Sequence, residues 1–508
     1  MKSINQSHTG SKIFRNVLYG VSTWILPLVL SFVSTPIILR SLGDKEYGIY
    51  ALVLGFIAYS FNLNFGRAIT KYIAEYRIKG ETEKIRDVIS ATLFINISVG
   101  IVVIILIFIA ADYLVADVFQ IESEAQNKTV IALYVASLTL FFLMLNQVFN
   151  AILQGIHRFD TFSKITNFNS AAVISGNIFL ALNGYGLVIL LGWNLLITFV
   201  SGLLFIFSAK RHLPEFGINL KVSAAAIKIV LKFSAGVIGY QILANLFFLF
   251  ERGWIIRKLG AENLTYYVVP MGLAIYIHSF ISSITLVVFP LASELNDNRE
   301  KLLRLYRKAT KVACFLIIFI EATVLVHSRD FLTLWMGAEF AEKTYLILIF
   351  HATTFSFLAV QTISWQMTEG LGYPQFNTLI YTICLLINAG LMLILTDEYG
   401  STGIAFSRLA GFSLMLFAVF YVEKWFFGKM QLRFWFGLIF LLGAAALLSV
   451  IFQELVGYYF PLNWISLLIS VGGGGIVYCL TLFISGYITA DEKIMIKSFL
   501  KSGSTADG

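Results

Sequence analysis

Apolar and polar residues alternate along this chain in long blocks. Fourteen mostly apolar stretches, at about 16–39, 47–66, 88–111, 129–153, 162–182, 185–208, 233–256, 264–290, 309–327, 344–367, 375–396, 402–422, 433–453 and 464–487, are separated by short polar connections. A helix needs about 20 such residues to cross the roughly 30 Å hydrocarbon core of a bilayer. The pattern therefore predicts an all-α polytopic membrane protein with 14 transmembrane helices. The longest connections, near 67–87, 209–232 and 291–308, are charged and leave no room for a soluble domain. Composition agrees, since 58% of the 508 residues are hydrophobic and 13% charged, against about a quarter charged in water-soluble domains.

Charge orients the spans, because Lys and Arg are retained on the cytoplasmic side. With the N-terminus inside, the two ends and the cytoplasmic loops carry 28 of the 37 Lys and Arg residues and the outer loops 7. The last two, Arg252 and Arg408, fall inside spans. Both termini are thus expected in the cytoplasm. The net charge of +8 reads as this topology signal and as attraction to anionic lipid headgroups, not as a nucleic-acid surface. The first apolar stretch is long and lacks a small-residue cleavage site, so it reads as a retained span. Cys314, Cys384 and Cys479 stand singly in apolar helices, which offers no disulfide framework and no metal spacing. They read as buried packing, and no metal or cofactor is expected.

The two halves repeat. Ile38, Arg40, Leu42, Gly43 and Tyr50 recur 217 residues later as Ile255, Arg257, Leu259, Gly260 and Tyr267. Ala74, Arg86, Ala91 and Thr92 recur at 218, Lys128-Thr129 and Gly155 at 215, and Tyr185-Gly186 at 214. Helices 1 and 7 run in the same direction, which makes this a parallel repeat about an axis along the membrane normal, as in transporters built from two rocking lobes. The expected organisation is a cytoplasmic tail at 1–15, an N-lobe of six helices at 16–208 and a cytoplasmic linker at 209–232. A C-lobe of six helices follows at 233–422, then two further helices at 433–487 and a cytoplasmic tail at 488–508.

A set of short motifs runs through both halves in order. They are Arg40-Ser41-Leu42-Gly43 with Tyr47-Gly48, then Gly66-Arg67-Ala68 leading into Lys71-Tyr72-Ile73-Ala74-Glu75. Gln154-Gly155 with Arg158-Phe159-Asp160 comes next, then Trp335-Met336-Gly337 with Phe340-Ala341, and Glu369-Gly370-Leu371-Gly372. Over most of residues 10–425 the chain resembles the polysaccharide-biosynthesis or oligosaccharide flippase family, which is O-antigen transporter-like. That family belongs to the multidrug/oligosaccharidyl-lipid/polysaccharide exporter superfamily. The resemblance implies two six-helix lobes around a central cavity and a bacterial inner (plasma) membrane. It also implies alternating access that moves a polyprenyl-diphosphate-linked oligosaccharide from the inner to the outer leaflet, for surface polysaccharide biosynthesis. The drug-exporter branch shares the fold, so a cation-coupled multidrug or small-molecule antiporter is the alternative. Whether the two extra helices recruit a polysaccharide polymerase or pack on the outside stays open.

Intramembrane charge supplies the candidate site. A charged side chain at the bilayer centre costs about 2.5–3.5 kcal/mol on insertion scales, so those present face a cavity or each other. Four stand out: Glu251 and Arg252 in helix 7, Glu321 in helix 9 and Arg408 in helix 12. One reading has the two arginines attract a diphosphate while the carboxylates tune or release it; the other has two structural ion pairs. Helix 1 lacks any acidic residue, which favours an anionic or neutral cargo over a cationic drug. Amides are the second signal. Asn146, Asn150 and Gln154 share one helix face, and side-chain amides both donate and accept, as sugar hydroxyls require. Asn62, Asn146 and Asn150 are the expected cavity-lining amides, against interhelical bonds of about 0.6 kcal/mol each. Arg67 and Lys71 stand at the cytoplasmic mouth, where they collect a headgroup or simply anchor the chain. His278 and His351 lie inside spans, where they titrate with a proton gradient or stay as satisfied structural histidines. The outer loops, about 4–17 residues long, are too short to host a glycan-building active site, so the chain does not read as an enzyme.

Overall fold

The computed structural model describes residues 22, 23, 25–59, 65–213, 217, 219, 222–285, 288–295 and 297–487. Every regular element among them is helical. In chain order these are α1 Ile25–Leu42, α2 Asp44–Tyr59, α3 Gly66–Lys79, α4 Thr82–Tyr113, α5 Ser123–Gly155, α6 Phe159–Leu182, α7 Leu187–His212, α8 Ala224–Leu259, α9 Ala261–Thr285, α10 Val288–Glu294, α11 Arg299–Met336, α12 Ala338–Gly370, α13 Pro374–Phe427, α14 Leu432–Tyr459 and α15 Trp464–Ile484.

Eleven helices among the described residues are long and apolar enough to cross a membrane, against fourteen predicted spans. Two of the predicted spans share α13, whose 54 residues form two helical segments joined at Gly400 (φ 55°, ψ −141°). Another falls in α2, of which 16 residues are described. The span at 233–256 lies in α8, whose last turns carry Glu251, Arg252, Arg257 and Lys258. Several helices run well past the apolar stretches. α11 extends 38 residues where 309–327 was the predicted span, because no Gly or Pro interrupts its charged flanks and a helix has no reason to stop at the edge of the hydrocarbon. Its start is capped by Asn298, whose side chain accepts from Lys301 N at 3.0 Å. Asn463 and Ser466 form a reciprocal capping box at the start of α15.

Side-chain placement matches a bilayer solvent. Ile109, Phe207 and Phe440 are 65–76% exposed, whereas Thr92, Asn96 and Thr139 are buried. Apolar residues face outward and polar ones inward, as lipid requires. Of the three cysteines, Cys314 and Cys384 are buried as expected, but Cys479 is exposed on α15.

The chain divides into two compact units, Met1–Val268 and Val269–Gly508. In the first, α5 packs against α2, α3, α4 and α7, while α8 packs against α2 and α4. Its core includes Ile69, Ile73, Ile89, Val148 and Ile152. In the second, α12 packs against α10, α11 and α13, and the α14–α15 hairpin packs on α11. Val288, Ala292, Tyr306, Ile363 and Met367 form one core, and Leu438, Leu442, Tyr478 and Leu482 join Cys314 in another. The run Gly472–Gly475 serves this hairpin, since a Cβ on Gly473 would lie 2.3 Å from Phe452 and one on Gly474 2.6 Å from Gln453. Left-handed backbone appears at Gly43 and Gly260, at Gln120 and Gly337, at His157 and Gly372, and at Gly184 and Gly400.

Candidate functional site

The neighbouring residues Glu251 and Arg252 take opposite directions from α8. Glu251 is 1% exposed, and its Oε1 accepts from the Tyr267 hydroxyl at 2.7 Å. Arg252 is half-buried and reaches α2. Its Nη1 donates to the Ala51 carbonyl at 2.6 Å, and its guanidinium lies 5.3 Å from the Tyr59 ring, which stacks on Phe248. Gly55 makes room for the stem, since a Cβ there would come within 2.8 Å of Arg252 Cδ. Among the described residues, the partners of Arg252 are a neutral carbonyl and an aromatic face.

Glu321 and Arg408 belong to the second unit. Glu321 accepts from the hydroxyls of Thr353 and Ser356, both on α12. Arg408, on the second segment of α13, is 2% exposed and among the largest fully buried side chains.

The other predicted residues separate into several places. Asn146 is 7% exposed and donates to the Thr198 carbonyl at 2.9 Å, tying α5 to α7. Asn150 is half-buried, and its Oδ1 accepts from Gln154 one turn on at 3.4 Å. Lys71 is exposed on α3, with its ammonium 4.9 Å from the Tyr72 ring. On the same helix the Lys79 ammonium holds the Glu75 carboxyl below the usual carboxylate range. Arg67 belongs to α3 by its backbone, while its side chain lies outside what is described, as does Asn62 altogether. Of the two intramembrane histidines, His278 Nε2 lies 3.3 Å from Ser282 Oγ and 3.2 Å from Thr362 Oγ1, and His351 is fully buried.

Several polar groups escaped the sequence. Glu423 is fully buried and accepts from Tyr306 Oη at 2.7 Å, Gln431 N at 2.7 Å and Trp435 Nε1 at 2.6 Å. It stands one residue past the predicted span at 402–422, outside the stretch in which charge stands out. His327 is 6% exposed between α11 and α15. Tyr266 Oη lies 2.5 Å from both Asp44 Oδ2 and Glu262 Oε1, and Thr265 Oγ1 donates to the Asp44 carbonyl at 2.6 Å. Beside them, a Cβ on Gly48 would lie 1.8 Å from the Ala261 carbonyl oxygen. Among the described residues no group of three or more His, Cys, Asp or Glu side chains is placed to hold a metal ion.

Buried charges and amides inside a lipid-facing helical shell are the chemistry of a multi-pass membrane transport protein. Residues 37–344 match the family described as polysaccharide biosynthesis protein, and the chain belongs to that family. It is 21% identical over 417 residues to a putative O-antigen transporter of Shigella flexneri, covering 78% of this chain and 94% of the relative. Two solved structures share the fold with a TM-score of 0.69 each. One is the lipid II flippase MurJ in an inward closed conformation, at 15% identity over 93% of this chain and 99% of that one. The other is a multidrug resistance MATE family transporter in an inward-facing conformation, at 16% identity over 80% and 98%.

Proposed function

We propose that this protein is a flippase that carries a polyprenyl-diphosphate-linked oligosaccharide from the inner to the outer leaflet of a bacterial plasma membrane by alternating access. In this reading both termini are cytoplasmic, fourteen helices cross the bilayer, two six-helix lobes repeat in parallel, and the last two helices, α14 and α15, are additional. The observation that carries it is Arg252. A guanidinium inside the bundle, whose partners among the described residues are the Ala51 carbonyl and the Tyr59 ring while the adjacent carboxylate accepts from Tyr267, keeps its attraction for a diphosphate. Arg408 and Glu321 are assigned to the same cargo. Arg67 and Lys71 are the cations that meet the headgroup at the cytoplasmic mouth. Asn150 is the amide we assign to the sugar, since Asn146 is occupied by Thr198.

Alternating access has its own support. The left-handed residues of the two halves are offset by 215–217, within a few residues of the sequence repeat. In that register Asp44 corresponds to Ala261, and Gly48 to Thr265. The Asp44–Thr265 bond and the Gly48–Ala261 approach join the first turns of α2 and α9, both within the first compact unit. In this reading, the contact between the first turns of α2 and α9 closes the extracytoplasmic side and must open to release cargo.

Complementation tests the reading in a cell whose own oligosaccharide flippase is deleted, with surface glycan and trapped lipid-linked precursor as readouts. Parental protein is expected to restore surface glycan, and Arg252→Ala to leave precursor trapped inside. Failure to restore in cells supplying several different glycans, together with acid-dependent drug efflux, would move the assignment to the antiporter. The observation favouring that second reading is Glu321, a carboxylate inside a span whose partners among the described residues are the hydroxyls of Thr353 and Ser356.

A further inference from the structure

The α14–α15 hairpin meets α11 at two junctions that the transport reading does not use. One is a hydrogen-bonded seam, where Ser470 Oγ donates to the Gln453 carbonyl at 3.1 Å and lies 2.9 Å from His327 Nε2. The other, toward the opposite end of α11, is basic. Arg304, Arg307, Lys308 and Lys311 follow one another at the i, i+3, i+4 and i+7 spacing that puts side chains on one helix face. Arg307 Nη2 donates to Gln431 Oε1 at the start of α14, and its guanidinium lies 5.7 Å from the Phe434 ring. The Lys311 ammonium donates to the Tyr487 carbonyl at 2.6 Å and lies 4.4 Å from that ring. Tyr487 Oη donates back to the Lys311 carbonyl at 2.8 Å. The three helices meet where their apolar stretches end, at Ala309, Arg433 and Tyr487, which is the level of the lipid headgroups.

An offset of 218 residues shows what is particular to this junction. The offset that pairs Arg86 with Arg304 sets Ile89, Ser90 and Leu93 of α4 against Arg307, Lys308 and Lys311. Ile89, Ser90 and Leu93 are buried, and the two apolar ones share a core with Ala226 and Val230 of α8. α14 packs on α11 as α8 packs on α4, yet here the same face carries three cations. Packing does not call for them, since an apolar face serves it in α4.

Much of their charge is uncommitted. A guanidinium has five N–H donors, and Gln431 takes one from Arg307. Arg307, Lys308 and Arg433 are exposed, and among the described residues none of the three has a carboxylate partner. Of the acids at this end, Glu300 pairs with Arg304 at 3.5 Å, and Glu423 is buried with Tyr306, Gln431 N and Trp435 as its donors. The first backbone N–H groups of α14 face the same side, and its N-cap Gln431 makes no side-chain bond to them. We propose that the junction of α11 with α14 and Tyr487 binds the phosphate of an anionic phospholipid from the surrounding bilayer. Arg307, Lys308 and Arg433 supply the charge, and the Lys311–Tyr487 contact fixes the floor. A lipid held there ties the hairpin to α11 through cations on both. In the topology proposed above the lipid belongs to the inner leaflet; the binding itself does not depend on what is transported.

The test is native mass spectrometry of the purified full-length protein in detergent, titrated with dioleoyl phosphatidylglycerol and dioleoyl phosphatidylcholine. The parent is expected to hold phosphatidylglycerol about tenfold more tightly than phosphatidylcholine or better. Arg307→Gln, Lys308→Gln and Arg433→Gln together should weaken phosphatidylglycerol binding by about tenfold or more, each cation being worth roughly fivefold at the headgroup level, and leave phosphatidylcholine unchanged. Lys210→Gln, Arg211→Gln and Lys228→Gln, at exposed cations of the first unit, change the net charge equally and should alter binding by less than about twofold. Equal loss in the two triple variants means net charge alone and overturns the site, as does a parent without preference for phosphatidylglycerol. Undecaprenyl diphosphate is the further probe: if the first triple loses it but keeps phosphatidylglycerol, the cations serve the cargo and the proposal falls. No transport is measured, so failure of the flippase reading leaves this outcome readable. If the first triple does not fold, Lys308→Glu, at an exposed position, carries the same comparison.

Discussion

Replacing Arg252 with alanine removes three contacts at once: the 2.6 Å bond to the Ala51 carbonyl, the Tyr59 face 5.3 Å away, and the stem that fills the notch at Gly55. A hydrogen bond from a charged donor contributes about 1.5–3 kcal/mol, and a half-buried cation–π contact about 1 kcal/mol. The folded protein is expected to lose about 2.5–4 kcal/mol from these together. If the same guanidinium binds the cargo diphosphate, recognition loses a further bond of about 1.5–3 kcal/mol, roughly a ten- to hundredfold drop in affinity. The two effects separate in liposomes reconstituted with purified protein, where translocation of a fluorescent polyprenyl-diphosphate sugar is normalised to folded protein. Tyr59→Leu is the control. It removes the ring but keeps the cation, so stability falls by about 1 kcal/mol while normalised transport stays close to parental. Arg252→Lys, with the charge but not the fork, should fall between parent and Arg252→Ala. Parental normalised transport by Arg252→Ala would refute the assignment and leave the arginine as a brace between α8 and α2.

Three further outcomes are expected. Tyr306→Phe removes one of the three donors to the buried Glu423. It should cost about 1.5–3 kcal/mol in thermal unfolding, above the roughly 0.6 kcal/mol average for neutral interhelical bonds in membranes. Glu423→Gln should cost more, because its amide hydrogens meet donors; a smaller loss than in Tyr306→Phe would contradict the count. His157 holds a left-handed φ of 60° where the second half has Gly372, so His157→Gly should stabilise by about 1 kcal/mol and Gly372→Ala destabilise by at least as much, read as opposite shifts in Tm. Gly48→Ala places a methyl where only 1.8 Å separates it from the Ala261 carbonyl oxygen, so the first turns of α2 and α9 must part. Thiol labelling from outside at Thr265→Cys should then rise sharply over the same cysteine in the parent background, and unchanged labelling would remove this contact from the gating scheme.

Much of the candidate site was legible in the sequence because the bilayer makes charge conspicuous. Arg252, Arg408, Glu251 and Glu321 stand out against apolar neighbours, and the structure describes all four within its helices. Their partners were not legible. Tyr267 lies 16 residues from Glu251 and on the next helix, and Ala51 lies 201 residues from Arg252; no periodicity links such pairs. Glu423 and His327 show the opposite failure. Each reads as ordinary in its own window, one as a charge just past a span and the other as a histidine near a helix end, and only packing from α14 and α15 makes them hubs.

The sequence by itself determined that this chain is helical and membrane-embedded. Those properties follow from local chemistry, above all apolar length against bilayer thickness. Tertiary structure alone decided which way each buried polar group points, since direction depends on donors supplied by distant helices. It separated Glu251 from Arg252, occupied Asn146 with Thr198, and threaded a hydrogen-bonded seam from α11 through α14 and α15. In lipid, where water cannot complete a hydrogen bond, those distant donors settle which polar groups hold the bundle together and which stay available to a cargo.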